Sequence, residues 1–367
     1  MELIKVPLIA GNLTDEEIRN IRVDRKEEVS DIIHLITNAS ENVLISGDRG
    51  QGKTFLTRLF QIDIEENFRD IFTIRLDLTA LHFMPDDSFP TRSLPQLILD
   101  QLCKEVWVKV LKKDYSDLLR KNDDPESLDF FKGKKEKKVV EIHNILKREE
   151  KKIIQEYHSS LKANLGLGAE TGSKMNQGWR NRGLQNFEYL ELLKEIKSIV
   201  LKNYNRIVII CDEANKLTDL EQEQILSNYL DFLGTNSFNF LLVVSNHAGV
   251  MRSASSINLF RKLDLGGFVN TKDTEEMLNK SFNIDCEIDN GIFGSIHMAS
   301  NGNIRISKEI FYRCLSLHLK GDIHQSLPLK LVEHVISDYL YEQEEYRKLK
   351  LEQEEVLKTK NTKPNNK

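Results

Sequence analysis

The chain has few of the cysteine, proline and glycine residues that are abundant in small disulfide-linked domains and in low-complexity chains. Its 367 residues include four cysteines, seven prolines and eighteen glycines. The low proline and glycine content excludes a low-complexity chain. The cysteines lie far apart without any Cys-x-x-Cys spacing, so we interpret them as reduced core residues and expect neither a disulfide framework nor a metal site. These residues are Cys103, Cys211, Cys286 and Cys314.

Long apolar runs are also missing. No run approaches the ~18–20 apolar residues that a membrane helix needs. The apolar patch in MELIKVPLIAGN, residues 1–12, is too short for the hydrophobic region of a signal peptide. The nine histidines show no metal-ligand spacing. We therefore expect a cytoplasmic protein with no membrane partner, long enough for two domains.

The chain has no overall excess of positive charge, but one segment concentrates it. The net charge of −5 gives no global attraction to nucleic acid. Residues 132–152, KGKKEKKVVEIHNILKREEKK, nevertheless hold nine Lys or Arg against four Glu. Two interpretations stay open for this segment, a solvated helix face and a surface that contacts a polyanion.

Five short apolar runs have the length of strands, and helical patterns lie between them. Strands that alternate with helices predict an α/β fold with a parallel five-stranded sheet flanked by helices. The helical patterns cover 54–62, 93–111, 187–202 and 220–233. The strand candidates are NVLIS (42–46), IFTIRLDL (71–78), RIVIICD (206–212), FNFLLVVSN (238–246) and the weaker RKLDLGGF (261–268).

The same patterns divide the chain into regions. A helix start at LTDEEIRN has Thr14 or Asp15 as its cap and belongs to an N-terminal helical segment. The interval between the second and third strands is too long for a simple connection, so part of it is interpreted as an insertion. The expected regions are the helical segment 1–40, the α/β core 41–270 with a charged insertion at about 112–186, a small helical lid 271–322, and a charged helix with a disordered tail 323–367.

The segment GDRGQGKT after the first strand matches the phosphate-binding pattern G-x-x-x-x-G-K-[ST]. Its glycines let backbone amides surround a β-phosphate without a Cβ in the way. Lys53 would bridge the β- and γ-phosphates, and the Thr54 hydroxyl would bind Mg²⁺. The helix that follows points its positive N-terminal end at the phosphates. The predicted contacts are Gly47, Asp48, Arg49, Gly50, Gln51, Gly52, Lys53, Thr54 and Phe55.

A phosphate-binding loop of this kind needs a second, acidic site at the end of a buried strand. The run RIVIICDE supplies an acidic pair at that position. Asp212 would hold the Mg²⁺ shell through water. Glu213 would polarise the attacking water as general base. Asp and Glu also end ordinary strands, but the position of this pair after the phosphate-binding pattern, in the expected strand order, favours the catalytic interpretation.

These features together resemble the AAA+ ATPases, most closely the initiator and helicase-loader group and related transposon-regulator and defence ATPases. The resemblance covers roughly 20–111 and 187–340. It implies an ATPase that uses ATP and Mg²⁺, self-associates in a nucleotide-dependent way and acts on a macromolecule. DNA or RNA bound through the basic segment at 132–182, or a co-encoded effector protein, would be the partner.

The resemblance also implies roles for residues outside the cradle. Val23 and Arg25 would lie beside the adenine. Asn246, with Ser245 as the alternative, would act as the first sensor of the γ-phosphate. Arg305, in the Gly-x-x-Arg of GNIR, would reach that phosphate from the lid helix. For each, an ordinary surface or turn residue is the competing interpretation.

A further implied residue is an arginine inserted into a neighbouring subunit's site. The family places it near the end of the helix before the fifth strand. Arg261 in NLFRKLDLGGF fits this location, and Arg252 is a second candidate.

Two functions follow from these motifs. The first is an ATP-hydrolysing switch of assembly or conformation. The alternative is a nucleotide-dependent regulatory protein with little intrinsic hydrolysis that works with a co-encoded effector. A small-molecule kinase is disfavoured because no acceptor pocket is evident after the fifth strand.

Overall fold

The computed structural model describes residues 13–21, 25–78, 94–120, 133–164, 186–212, 238–244, 260–284, 286–289, 291–318 and 326–361. The described strands are β1 (Asn42–Ser46), β2 (Ile71–Asp77), β3 (Arg206–Asp212), β4 (Phe238–Val243) and β5 (Phe260–Asp264). The described α-helices are α1 (Asp15–Asn20), α2 (Lys26–Thr37), α3 (Lys53–Asn67), α4 (Leu94–Glu105), α5 (Tyr115–Arg120), α6 (Lys134–Asn164), α7 (Asn186–Val200), α8 (Thr271–Ser281), α9 (Ile292–Ser300), α10 (Ile304–His318) and α11 (Leu329–Asn361).

The chain divides into two units that are not continuous in sequence. Unit 1 comprises Met1–Glu28, Gly47–Arg58 and Leu265–Lys367. Unit 2 comprises Val29–Ser46 and Leu59–Asp264. The regional boundaries expected from the sequence, at 40, 270 and 322, stay a prediction.

Unit 2 contains a parallel sheet of all five strands in the order β2-β3-β4-β1-β5. Its central strands are continuous apolar runs because both faces of a parallel sheet are covered by helices. All six residues of β4 are buried, and so are six of the seven residues of β3. The predicted α/β fold of a P-loop NTPase, a parallel five-stranded sheet flanked by helices, is confirmed.

The core of unit 2 joins one face of the sheet to α4, α6 and α7. Phe72 and Ile209 supply the sheet side, and Trp107, in a π-helical turn after α4, is fully buried among them. The Trp107 Nε1 donates to the carbonyl oxygen of Asp114 at 2.9 Å, which satisfies the only polar atom of this side chain. Val139 and Ile142 belong to the same core, so the first turns of α6 are packed.

The described basic face of α6 is partly neutralised within unit 2. Lys138 forms ion pairs with Glu195 at 2.9 Å and Glu141 at 3.3 Å. Lys113 pairs with Glu136 at 3.1 Å. For Lys138 the contacts favour the solvated, ion-paired helix face, whereas Lys113 lies outside the basic segment.

Unit 1 has its own core between helices α8, α9, α10 and α11. Phe282 and Phe311 pack edge to face with ring centroids 5.3 Å apart. In its N-terminal segment, the Thr14 side chain and Glu17 form a reciprocal capping box at the start of α1. The predicted Thr14 cap is therefore confirmed, and a helical region does follow the sheet.

The fifth strand differs from its predicted range of 261–268, because β5 ends at Asp264. Phe268 is instead buried in the core of unit 1, and its backbone N–H donates to the Gly302 carbonyl oxygen at 2.9 Å. The predicted helix 220–233, residues 245 and 246 of the fourth run, and residues 362–367 lie outside the described residues. The disordered tail predicted at 358–367 begins too early, because residues 358–361 belong to α11. None of the helices described is both long enough and apolar enough to span a membrane.

Candidate nucleotide site

The segment Gly47–Thr54, which we call the cradle, has a backbone that only glycine adopts without strain at three positions. Gly47, Gly50 and Gly52 have φ of 153°, 93° and 84°. A Cβ on Gly50 would collide with the Asn303 side chain and lie 2.9 Å from the Cβ of Arg305. The glycines therefore permit both a tight turn and the close approach of another segment of unit 1.

Lys53 is the first residue of α3, and its side chain folds back over the loop. Its Nζ donates to the carbonyl oxygens of Gly47 at 2.5 Å and Asp48 at 2.8 Å, and the residue is only 5% exposed. The Leu56 N–H bonds the Gly52 carbonyl oxygen at 2.8 Å, which closes the first helical turn. A cation and a helix N-terminus thus meet at a glycine-rich turn, an arrangement that favours phosphate.

The start of α10 contacts the cradle through a residue that the sequence analysis missed. Asn303 accepts hydrogen bonds from the backbone N–H of Arg305 at 3.1 Å and of Ile306 at 3.2 Å, as an N-cap does. Its Nδ2 also donates to the carbonyl oxygen of Arg49 at 2.9 Å. An Asn directly before an apolar helical pattern is an N-cap signal that could have identified it.

Arg305 lies in the first turn of α10, at the helix start where the sequence analysis expected it. Its backbone N–H also lies 3.4 Å from the Gly50 carbonyl oxygen, and its side chain is exposed. Its Cβ lies beside Gly50, so an exposed cationic side chain begins next to the cradle. Its role as second sensor stays a prediction.

Arg25 is held by backbone carbonyl groups on two sides. Its guanidinium donates to the carbonyl oxygen of Gly266 at 2.8 Å and of Gln51 at 3.4 Å, and it pairs with Glu28 at 2.5 Å. The group also lies over the Phe268 ring, 5.4 Å from its centroid, and Arg25 is 5% exposed. These contacts connect the cradle to the segment after β5, so Arg25 has a structural role whether or not it contacts adenine.

In unit 2, Asp212 is the last residue of β3 and is 2% exposed. Its carboxylate accepts a hydrogen bond from Arg75 of β2, which compensates the buried charge. At the same edge of the sheet, the Ser46 hydroxyl at the end of β1 donates to Asp264 at the end of β5. Polar side chains therefore end four of the five strands on this side, Asp77 of β2 included, where ligands of parallel α/β sheets bind.

The remaining predicted site residues divide into two groups. Arg261 is the second residue of β5, opposite Val43 of β1, and is exposed. It therefore belongs to an edge strand, and its action on a neighbouring subunit stays a prediction. The others lie outside the described residues: Val23, Glu213, Ser245, Asn246 and Arg252.

The residues present fit a magnesium nucleotide. Magnesium takes oxygen ligands and keeps several waters, so it needs only one or two protein groups. Thr54 has a hydroxyl and Asp212 a buried carboxylate, and their joint role as magnesium ligands stays a prediction. No group of three or more His, Cys, Asp or Glu is assembled among the residues described, so they offer no metal cage built from those side chains.

Comparisons with known proteins concern the fold. No protein-family model and no curated protein matches the chain. Orc1 of Aeropyrum pernix, solved in complex with DNA, is 11% identical over 92% of this chain and 71% of that chain, with a TM-score of 0.46. The Thermotoga maritima RuvB Holliday junction branch migration motor is 14% identical over 85% of this chain and 68% of that chain, with a TM-score of 0.37.

The likeness to Orc1 and RuvB is one of fold alone. Identity and TM-score are low in each case. The function of this chain is therefore argued from its own residues.

Proposed function

We propose that the protein is a Mg-dependent ATPase that uses nucleotide binding and hydrolysis to switch its conformation or assembly on a macromolecular partner. The observation that carries the proposal is the cradle. Three positive-φ glycines surround a turn whose lysine is buried against the loop carbonyl oxygens. This geometry suits a polyphosphate, whose oxygens replace those carbonyl groups as partners of Lys53.

Each residue of the proposed site has a separate task. Lys53 neutralises charge on the β- and γ-phosphates, and Glu213 accepts a proton from the attacking water. Thr54 and Asp212 would hold Mg²⁺, which supplies charge stabilisation on the phosphoryl oxygens when bound. The order of β3, β4 and β1 supports this assignment, since Asp212 and Ser46 end their strands at one edge with a single strand between them.

The first turn of α10 supplies the proposed switch. Asn303 and the Arg305 backbone bond the cradle directly. A γ-phosphate that attracts the Arg305 guanidinium would stabilise this arrangement, and its loss on hydrolysis would weaken it. The contact between α10 and the cradle would therefore be more stable with ATP than with ADP. A ligand-driven switch requires such a difference in free energy between its two states.

A regulatory protein with a protein partner is the second candidate. On α11, Leu340, Tyr341 and Tyr346 are exposed, and exposed large apolar and aromatic side chains are typical of protein interfaces. Lys138 of the basic segment, by contrast, is engaged with Glu141 and Glu195 of the same unit. These observations favour a protein partner over nonspecific binding of nucleic acid by the described part of α6.

Rates of ATP hydrolysis and affinities for ADP test the proposal together. Wild type is expected to bind ADP and release phosphate from ATP, and Glu213→Gln is expected to bind ADP normally while hydrolysis falls by about 10²-fold or more. Lys53→Ala should lose both activities. Glu275→Gln on α8, an exposed carboxylate, is the matched control and should behave as wild type.

The same rates measured with DNA, with RNA and with a candidate protein partner separate the two candidates. A basal rate that is already substantial supports the ATPase switch. A negligible rate that rises only with a protein partner supports the regulatory protein. Hydrolysis by Glu213→Gln at the wild-type rate would refute the catalytic assignment.

A further inference from the structure

Lys308 is a buried lysine to which the described part of the chain offers no counter-charge. It lies in the second turn of α10 and is 5% exposed. Among the residues that the structure describes, no acceptor forms a hydrogen bond or an ion pair with its ammonium group. Burial lowers the pKa of Lys308 to about 8.

Two other lysines of the described chain, the partly exposed Lys109 and the buried Lys53, have oxygen partners. Lys109 pairs with Glu65 at 2.8 Å and Glu105 at 3.3 Å. Burial acts to lower the pKa of Lys109, but these two carboxylates raise it above its ordinary value. Lys53 is similarly bonded to two carbonyl groups. Because a buried ammonium without an anion is costly, Lys308 is best explained by a ligand that supplies one.

The position of Lys308 on α10 indicates where that anion would be. Lys308 follows Ile304 by four residues and therefore lies on the same side of the helix. A Cβ on Gly52 of the cradle would lie 2.9 Å from the Cδ1 of Ile304, so this side of the first turn contacts the cradle. Long helical side chains lean toward the helix N-terminus, which is the end of α10 beside the phosphate loop.

We propose that Lys308 binds a phosphate group of the nucleotide held by the cradle. This inference rests on the proposed function, since it requires a nucleotide in the cradle. Lys308 would add a second cation from α10, one turn beyond Arg305. The ammonium group of Lys308 would then form a charge-assisted hydrogen bond with the phosphate, which would compensate for its burial.

Affinities of four proteins for a fluorescent ADP, and competition by inorganic pyrophosphate, test this proposal. Lys308→Met should bind both ligands about tenfold more weakly than wild type, the loss expected for one charge-assisted hydrogen bond. Lys308→Arg retains the charge and should recover part of the affinity. Lys330→Met, which removes an exposed lysine of α11, should leave both affinities unchanged.

A second measurement separates this role from a structural one. Lys308→Met without nucleotide should unfold at a higher temperature than wild type, because it removes an unfavourable buried charge. A variant that unfolds at a lower temperature, or does not fold, would overturn the inference. So would wild-type affinity for ADP and pyrophosphate.

Failure of the inference and failure of the proposed function give different results. If wild type binds ADP and Lys308→Met binds it equally well, only the role of Lys308 is refuted. If wild type binds neither ADP nor pyrophosphate, the nucleotide function itself is refuted, and the role of Lys308 is refuted with it.

Discussion

The lowered pKa of Lys308 links stability of the protein to pH. The ordinary lysine pKa of 10.5 applies to the unfolded chain, and burial lowers it to about 8 in the folded chain. Between these two pH values the unfolded chain binds more protons than the folded chain. The free energy of unfolding therefore rises with pH across this window, and the cost of the buried charge is fully present below it.

Comparison of wild type with Lys308→Met isolates this effect, because all other titrating groups are shared. At pH 7 the variant should be more stable by about 3 kcal/mol, the free energy that corresponds to the pKa shift. The difference should shrink as pH rises from about 8 toward 10.5. Urea unfolding of both proteins at pH 7, 9 and 10.5 without nucleotide measures it. A difference that does not change with pH would contradict the assignment.

Single residues of the site were predictable to the extent that they form a local pattern. The glycines and Lys53 of the cradle are encoded within eight positions, so spacing alone identifies them. Lys308 and Arg75 carry no local signal, because their environment is created by segments distant in sequence. Arg75 precedes its partner Asp212 by 137 residues, and only the pairing of β2 with β3 brings the two together.

At the scale of elements, the helix α10 depends on its N-cap for both stability and position. The Asn303 side chain accepts from two backbone N–H groups of the first turn and donates to Arg49 of the cradle. The helix α8 of the same unit offers a matched comparison. The N-cap of α8, Asn270, accepts a hydrogen bond from the Asp273 N–H at 3.2 Å. The helix α8 is separate in sequence from α10.

Replacement of each N-cap by alanine should therefore separate stability from ligand binding. Asn303→Ala and Asn270→Ala are each expected to lose about 1 kcal/mol of stability, the usual cost of a lost cap. Only Asn303→Ala should also weaken ADP binding, because it alone removes a contact with the cradle. Thermal unfolding and ADP titration of both variants check this. Equal ADP affinities for the two variants would show that the contact with Arg49 has no part in binding.

The elements themselves were largely readable from the sequence where they are buried. β1 and β3 were predicted at the ranges found, because each is a short apolar run bounded by polar residues. β5 was predicted too long because Leu265 and Phe268 continue its apolar pattern. These two residues are buried in unit 1, and apolar periodicity does not tell which core receives a side chain.

For the whole molecule, strand order decides which residues face possible neighbours. The β5 strand lies at one edge of the sheet, and Arg261 and Lys262 are charged residues on it. Charged side chains commonly protect an edge strand from pairing with another chain, which is one explanation of Arg261. The implied alternative is insertion of Arg261 into the nucleotide site of a second copy.

Mixing two inactive variants distinguishes these explanations. Arg261→Ala retains its own cradle, and Lys53→Ala retains Arg261, so neither alone should hydrolyse ATP if the arginine acts between subunits. A mixture should recover part of the wild-type rate, since some intact sites then adjoin an intact arginine. Light scattering with ADP and with a nonhydrolysable ATP analogue should show a larger particle for the analogue. If Arg261→Ala alone hydrolyses ATP at the wild-type rate, Arg261 protects the edge strand, and hydrolysis does not need a neighbouring subunit.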